Sequence, residues 1–256
     1  MKKIIIQFII MFTIIIILFY INDRLKKDIY ETSIYFVKNI LPSLYPIMFI
    51  SLYLKHNVLN KYNNKISCFL LSIITFSPSN ALLTNSENMI VSSSIINPFY
   101  SYFIIKNILN KVLALKIVLT NIIINITITF TIIIKTNNNQ NLNNKIIITN
   151  LIKNVTENII NIYGITIFFC IIKNILLFIN IPKHLIILID VINGFKLINE
   201  INTFKIPLLT FLNSFTGLSM IFQIKSINKN ITNKVFVKKF ILSIIIMLIT
   251  MFMIKL

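Results

Sequence analysis

Residues 211–223 of the chain read FLNSFTGLSMIFQ, a polar pattern set inside a long apolar run. The polar members are Asn213, Ser214, Thr216, Ser219 and Gln223, and Gly217 among them is one of only three glycines in the chain. On a continuous helix, steps of three and four residues place one set on a single face: Asn213, Thr216, Gly217, Met220 and Gln223. Hydrocarbon offers no hydrogen-bond partners to these polar side chains, so we expect the stripe to face protein or water.

The chain as a whole is too apolar for a soluble domain. Its 256 residues are 56% hydrophobic and 12% charged, whereas about 25% charge is usual in soluble domains. The mean hydropathy is +0.85. Several apolar windows are long enough to cross a hydrocarbon core of about 30 Å. The sequence therefore predicts an all-α, polytopic helical membrane protein whose main surroundings are the lipid bilayer.

The net charge of +18 does not indicate nucleic-acid binding. Of the 25 basic residues only Arg24 is an arginine, and the lysines are scattered through the connections instead of forming one patch. We expect no nucleic-acid partner, and we interpret the lysines between residues 225 and 239 as a cytoplasmic loop. Cys68 and Cys170 lie in apolar runs without a CxxC pattern, so we predict no metal site and no cofactor.

Composition divides the chain into four segments. Residues 1–32 form an N-terminal transmembrane anchor and a charged loop, residues 33–134 a first half, residues 135–153 a polar linker rich in Asn and Lys, and residues 154–256 a second half with a closing transmembrane helix. A signal peptide is the alternative for residues 4–21. This run is longer than a usual signal core and no small-x-small site follows it, which favours a retained helix.

The first half contains two kinds of interruption. Two prolines four residues apart remove helix hydrogen bonds and leave carbonyls for a cavity, or simply bend the helix. Residues 66–76 are too short to span, and they run into a Ser-Pro-Ser-Asn segment. We interpret the second kind as a broken or re-entrant helix, with two poor spans as the alternative. The candidate substrate-binding residues here are Ser77, Ser79, Asn80 and Asn97, and the candidate helix-breaking residues are Pro42, Pro46, Pro78 and Pro98.

The second half contains a carboxylate in a short apolar run. Asp190 shares a helical face with Asn193 and Gly194. At the centre of a spanning helix an unpaired carboxylate costs about 2.5–3.5 kcal/mol, whereas near an interface the cost is relaxed. The predicted binding residues of this half are Asp190, Asn193, Asn213, Thr216, Gly217, Ser219 and Gln223. A polar break in each half predicts one site lined by both, in a two-half, inverted-repeat-like architecture.

Taken in order, five pieces of the chain resemble the YlbJ-type sporulation integral membrane proteins, which belong with the nucleoside-recognition or gate-domain membrane proteins. The pieces are LPSLYP at residues 41–46, SPSNA at 77–81, SSSIINPF at 92–99, LIDVING at 188–194, and FTGLS at 215–219 with Gln223. The resemblance covers residues 35–240. The chain departs from the family in lacking glycine at residues 77–81, in having Thr216 for a glycine and Asp190 for the commoner glutamate, and in its shorter length.

The resemblance implies a role in sporulation. It implies transport of a small organic anion such as dipicolinic acid across a membrane around the forespore, for which the outer forespore membrane is a candidate. The implied partners are that anion, further copies of the chain and other sporulation membrane proteins. The alternative is a non-transporting membrane scaffold needed for spore envelope assembly, whose polar breaks hold helices together. No HExxH, GxSxG or paired intramembrane carboxylates occur, so we expect no enzyme activity.

Overall fold

The computed structural model describes residue 13 and residues 22–58, 90–91, 98–135, 147–201, 204–228 and 231–255. Within these ranges the helices are α1 (Asn22–Tyr35), α2 (Leu41–Tyr53), α3 (Pro98–Ile108), α4 (Lys111–Lys135), α5 (Ile148–Phe178), α6 (Lys183–Ile186), α7 (Val191–Asn199), α8 (Lys205–Phe215), α9 (Gly217–Ile227) and α10 (Lys234–Lys255). A π-helical turn, Phe36–Ile40, joins α1 to α2, and a second, Leu54–Val58, follows α2.

Five helical stretches among the described residues are long and apolar enough to cross a membrane. They are Leu25–Tyr53, Lys111–Ile128, Ile148–Phe178, Lys205–Ile227 and Lys234–Ile254. Large apolar side chains cover their outer faces, and Phe222, Leu248 and Phe252 are each more than half exposed. Faces of this size are tolerated when lipid surrounds them. The prediction of an all-α polytopic fold is confirmed.

The longest helix of the described residues, α5, lies at the centre of the helix packing. It packs against α1, α2, α6 and α9. Val155, Ile159 and Ile162 on one of its faces form an apolar cluster with Leu44 and Met48 of α2. A hydrogen bond also joins α5 to α1, since the Tyr163 hydroxyl donates to the Ser33 Oγ over 2.9 Å. The α1–α2 unit is thereby fixed along one side of α5.

The α8–α9 pair is the most buried of these five stretches. Of its apolar window 67% is buried inside the protein, against 17–39% for the other four stretches. On one side α8 packs against α10 through edge-to-face rings, in which Phe211 and Phe215 of α8 contact Phe240 of α10 at 5.4 and 5.7 Å between centroids. On the other side α8 contacts α7 and α4. This stretch is therefore covered by protein on several sides.

The segment expected to be a charged loop, residues 22–32, is helical. Leu25, Thr32 and Phe36 are buried at steps of seven and four residues, which is the spacing of one helix face. Lys26 and Lys27 lie on the exposed side. These two lysines therefore lie on the outer face of a helix that packs on α5, and the expectation of a loop is wrong.

Two further boundaries differ from the sequence expectations. The expected linker ends too late, because α5 begins at Ile148, and residues 136–146 lie outside the described ranges. The helix also continues through Pro42 and Pro46 instead of breaking there. The π-helical turn just before Pro42, in which the Leu41 N–H bonds to the Phe36 carbonyl, is the local accommodation. Both prolines are exposed.

Glycine at position 194 allows α7 to lie close to α8. A Cβ added there would lie 2.7 Å from the Leu212 Cδ2 and 2.8 Å from the Ile187 carbonyl oxygen. We expect Gly194→Ala to destabilise the protein by about 1–3 kcal/mol, because the backbone carbonyl cannot move aside cheaply. Thermal unfolding in detergent micelles measures the change.

Gly164→Ala is the matched control for this substitution. Gly164 lies within α5, and an added Cβ meets nothing within 4 Å. Alanine is the better helix former by about 1 kcal/mol, so this variant is expected to unfold at an equal or higher temperature than the wild type. Equal losses in the two variants would contradict the close contact between α7 and α8.

Candidate functional site

Two interruptions of helical structure meet inside the protein, and we call this meeting point the crossing, formed by residues 188–193 and 216–219. The first interruption is the extended backbone at Asp190, between α6 and α7. The second is Thr216, between α8 and α9, with a φ of 67° and a ψ of 6°. A left-handed conformation at a β-branched residue is strained and persists only when its surroundings enforce it. Thr216 itself is fully buried.

Backbone hydrogen bonds join the two interruptions. The Leu218 N–H donates to the Leu188 carbonyl over 3.0 Å, and the Ser219 N–H donates to the Ile189 carbonyl over 2.9 Å. The first N–H groups of a helix have no acceptor within that helix, so α9 would otherwise present unsatisfied donors inside an apolar environment. The turn between α6 and α7 supplies acceptors for two of these donors.

Gly217 is required for this close approach. Its φ is +75°, and an added Cβ would lie 3.1 Å from the Val191 backbone nitrogen and 3.3 Å from the Asp190 Cα. Glycine adopts positive φ freely and leaves room for a facing backbone. Gly217, which was selected from the sequence, thus lies where the backbones of the two interruptions come closest.

The Asp190 carboxylate is the polar centre of the crossing and is only 3% exposed. Its Oδ1 accepts from the Ser219 hydroxyl of α9 over 2.8 Å. Its Oδ2 accepts from the Asn193 N–H over 3.1 Å and from the Asn193 Nδ2 over 2.8 Å. Asp190 is therefore the N-cap of α7 and, at the same time, a side-chain link from α7 to α9.

The polar contacts continue from the crossing toward α5 and α1. The Asn193 Oδ1 accepts from the Lys173 Nζ of α5 over 3.2 Å. The same ammonium forms an ion pair with the Asp28 carboxylate of α1 at 2.6 Å. Asp28, Lys173, Asn193, Asp190 and Ser219 thus form one continuous chain of hydrogen bonds across four helices.

The predicted residues of the second half separate into two groups. Asp190, Asn193, Gly217 and Ser219 lie together in the crossing, with Thr216 at its bend. Asn213 lies on α8 before the bend, and its buried Oδ1 has no hydrogen-bond partner among the residues that the structure describes. Gln223 lies on α9 beyond the bend and donates to the Thr166 Oγ1 of α5 over 3.2 Å.

Two geometric expectations about these residues are wrong. Asn213 and Gln223 do not share one helix face, because the helix ends at Phe215 and a new one begins at Gly217. Asp190 does not lie on a helix face with Asn193 and Gly194, because its backbone is extended and α7 begins at Val191. In both places the interruption itself brings the polar groups together.

The predicted residues of the first half are tested less fully. Ser77, Pro78, Ser79, Asn80 and Asn97 lie outside the described residues. Pro98 is the first residue of α3, where its missing N–H is tolerated. The shared site between the halves stays a prediction.

Three charged residues of interest were not selected from the sequence. Lys173 and Asp28 form the ion pair described above, and Lys239 donates to the Val91 carbonyl over 3.0 Å. Lys239 is 2% exposed within α10, so its placement in a cytoplasmic loop is wrong. The available signal was a lysine inside an apolar run, which is costly in a membrane and therefore usually functional.

Within the described ranges, no three His, Cys, Asp or Glu side chains come together as a metal site. The prediction that the protein uses no metal or cofactor stays a prediction. What the crossing offers chemically is one buried carboxylate with three hydrogen-bond donors around it, and a buried ammonium one amide group away.

Compared with known protein families, curated proteins and solved structures, the chain shows no match to any of them.

The Ser219–Asp190 bond predicts a stability difference between two buried serines. Ser219→Ala removes a donor to a charged acceptor, for which we expect a loss of about 1.5–3 kcal/mol. Ser214→Ala is the matched change in α8, where the hydroxyl bonds to the carbonyls of Thr210 and Phe211 in its own helix. We expect less than about 1 kcal/mol there. Thermal unfolding in micelles compares the two, and a larger loss for Ser214→Ala would contradict the assignment.

Proposed function

We propose that the chain is a multi-pass membrane protein of sporulation that transports a small organic anion across a membrane surrounding the forespore. The identity of the anion, dipicolinic acid, and the sporulation role come from the resemblance to the YlbJ-type proteins alone. Lipid, further copies of the chain and other sporulation membrane proteins are the proposed partners, and we propose no enzyme activity.

The crossing is the observation that supports transport. Discontinuous helices that meet inside the membrane, with their half-helix ends and a polar side chain at the meeting point, are the usual construction of secondary-transporter binding sites. Here α6–α7 and α8–α9 are both interrupted, and they contact each other at the interruptions. A buried carboxylate within such a stretch is a functional residue by default, since its insertion is costly.

The crossing also suggests how the protein could alternate between two states. Two backbone bonds and the Ser219–Asp190 bond link α9 to the start of α7. A movement of α8–α9 against α6–α7 would exchange these few bonds for contacts with a polar solute. Asp190 would then be released from Ser219 while it still caps α7 through the Asn193 N–H.

A scaffold role is the second candidate, and one observation favours it. Both oxygens of Asp190 and the N–H groups of Leu218 and Ser219 already have partners within the chain. A closed arrangement of this kind also serves to hold helices together in a membrane. The two candidates differ in whether the crossing opens.

Uptake of dipicolinate into vesicles containing the purified protein tests the proposal. Asp190→Asn keeps the shape of the side chain but removes its negative charge and replaces one acceptor oxygen with a donor, so its three hydrogen bonds to Asn193 and Ser219 are no longer bonds to a charged acceptor. Bonds to charged groups are worth about 1.5–3 kcal/mol, and we expect uptake to fall by about tenfold or more at equal protein levels. The dipicolinic acid content of spores is the corresponding measurement in cells.

Glu157→Gln is the matched control for uptake. Glu157 is an exposed carboxylate on α5, away from the crossing, and this variant should transport like the wild type. If wild type, Asp190→Asn and protein-free vesicles take up dipicolinate equally, the transport proposal is wrong. Normal spore content in a deletion strain would contradict it in the cell.

A further inference from the structure

A polar cleft of about 150 Å³ lies beside the crossing, between α1, α5, α6 and α7. Three lysines and three carboxylates line it, together with Asn193: the pairs are Lys173–Asp28, Lys183–Glu200 and Lys196–Glu31. The cleft has no net formal charge. Two of the six charges come from α1, one from the last turns of α5, and three from α6, α7 and the residue that follows α7.

The three ion pairs are not equivalent. In the Lys183–Glu200 and Lys196–Glu31 pairs every side chain is about half exposed, so water screens both partners. In the third pair, the Lys173 side chain is 9% exposed and the Asp28 side chain 24%. A buried ammonium needs a partner of opposite charge, whereas a carboxylate at the cleft surface can turn to water. Lys173 is therefore the fixed member of this pair, and Asp28 is the member that can be exchanged.

Asn193 places this exchange next to the crossing. Its Oδ1 accepts from Lys173, and its Nδ2 donates to Asp190 over 2.8 Å. The group that occupies Lys173 is thus separated from the Asp190 carboxylate by one amide side chain. A change of partner at Lys173 would be felt at the N-cap of α7, which is one side of the crossing.

We propose that Lys173 binds a carboxylate of an incoming organic anion, and that Asp28 occupies this position when the anion is absent. The inference rests on the proposed transport function, and it identifies where the anion first binds and what competes with it. Exchange of one carboxylate for another keeps the charge at Lys173 balanced. It also releases α1 from α5 at this point, while α1 remains held through the Ser33–Tyr163 hydrogen bond.

The test is binding of radiolabelled dipicolinate to the purified protein in detergent, where no transport takes place. An internal competitor weakens apparent affinity by the fraction of time that the site is free. If the Asp28–Lys173 pair is closed for about nine-tenths of the time, Asp28→Asn lowers the dissociation constant by about tenfold. Pyridine-2,6-dicarboxamide, the uncharged analogue, should fail to compete for the site.

Glu31→Gln separates competition from a general change in charge. It removes one negative charge from the same helix and the same cleft, but from the exposed pair with Lys196. We expect a gain of no more than about twofold, since exposed charges are screened. Equal gains for Glu31→Gln and Asp28→Asn would overturn the inference, as would unchanged affinity in Asp28→Asn.

Lys173→Gln should abolish saturable binding, and retained binding would overturn the inference. The double variant Asp28→Asn with Lys173→Gln removes both charges together, so no charge is left unpaired, and it should likewise fail to bind while remaining folded. The inference and the transport proposal fail separately. Tighter binding in Asp28→Asn without any vesicle uptake would refute transport alone, whereas Asp190-dependent uptake with unchanged binding in Asp28→Asn would refute the inference alone.

Discussion

A helix interrupted inside an apolar environment leaves backbone donors and acceptors that lipid cannot satisfy. In this protein the interruption at Thr216 is matched by the turn before α7, whose carbonyls at Leu188 and Ile189 accept from α9. These hydrogen bonds require close contact between two non-helical segments. The contact leaves room only for glycine at position 217, which faces the backbone of Asp190 and Val191. The burial of α8–α9 at the centre of the structure, and the packing of α10 and α7 around it, surround this one contact.

The charged groups extend outward from the same contact. Asp190 is satisfied by Ser219 and Asn193, Asn193 also contacts Lys173, and Lys173 pairs with Asp28. Each of these groups is partnered by the next, so Asp190, Lys173 and Asp28 all have an opposite charge or a hydrogen-bonding group beside them. Side-chain exposure rises from 9% at Lys173 to 24% at Asp28, and Asp190 is buried. The series gives the buried carboxylate a polar connection to the cleft.

The class of the protein could be predicted from the sequence, because it depends on local composition. The polar residues and the glycine at 213–219 were selected as a stripe on a continuous helix, so the break at Thr216 was missed, whereas Asp190 was selected because a carboxylate is costly in a membrane. The acceptors facing the break are carbonyls of Leu188 and Ile189, and no side chain signals them. The Lys173–Asp28 pair joins positions 145 residues apart, so local patterns cannot show it. The helix α1 was missed because its many charged residues outweigh the few buried ones, Leu25 and Thr32, that mark its packed face.

The brevity of α6 and α7 has a consequence for how the protein is made. These helices have four and nine residues, whereas about twenty apolar residues are needed to cross a bilayer. The polypeptide from 183 to 199 therefore cannot be released laterally from the translocation machinery as an independent span. The carbonyls of Leu188 and Ile189 gain their donors only when α9 lies beside them. Stable insertion of this segment therefore depends on the part of the chain that follows it.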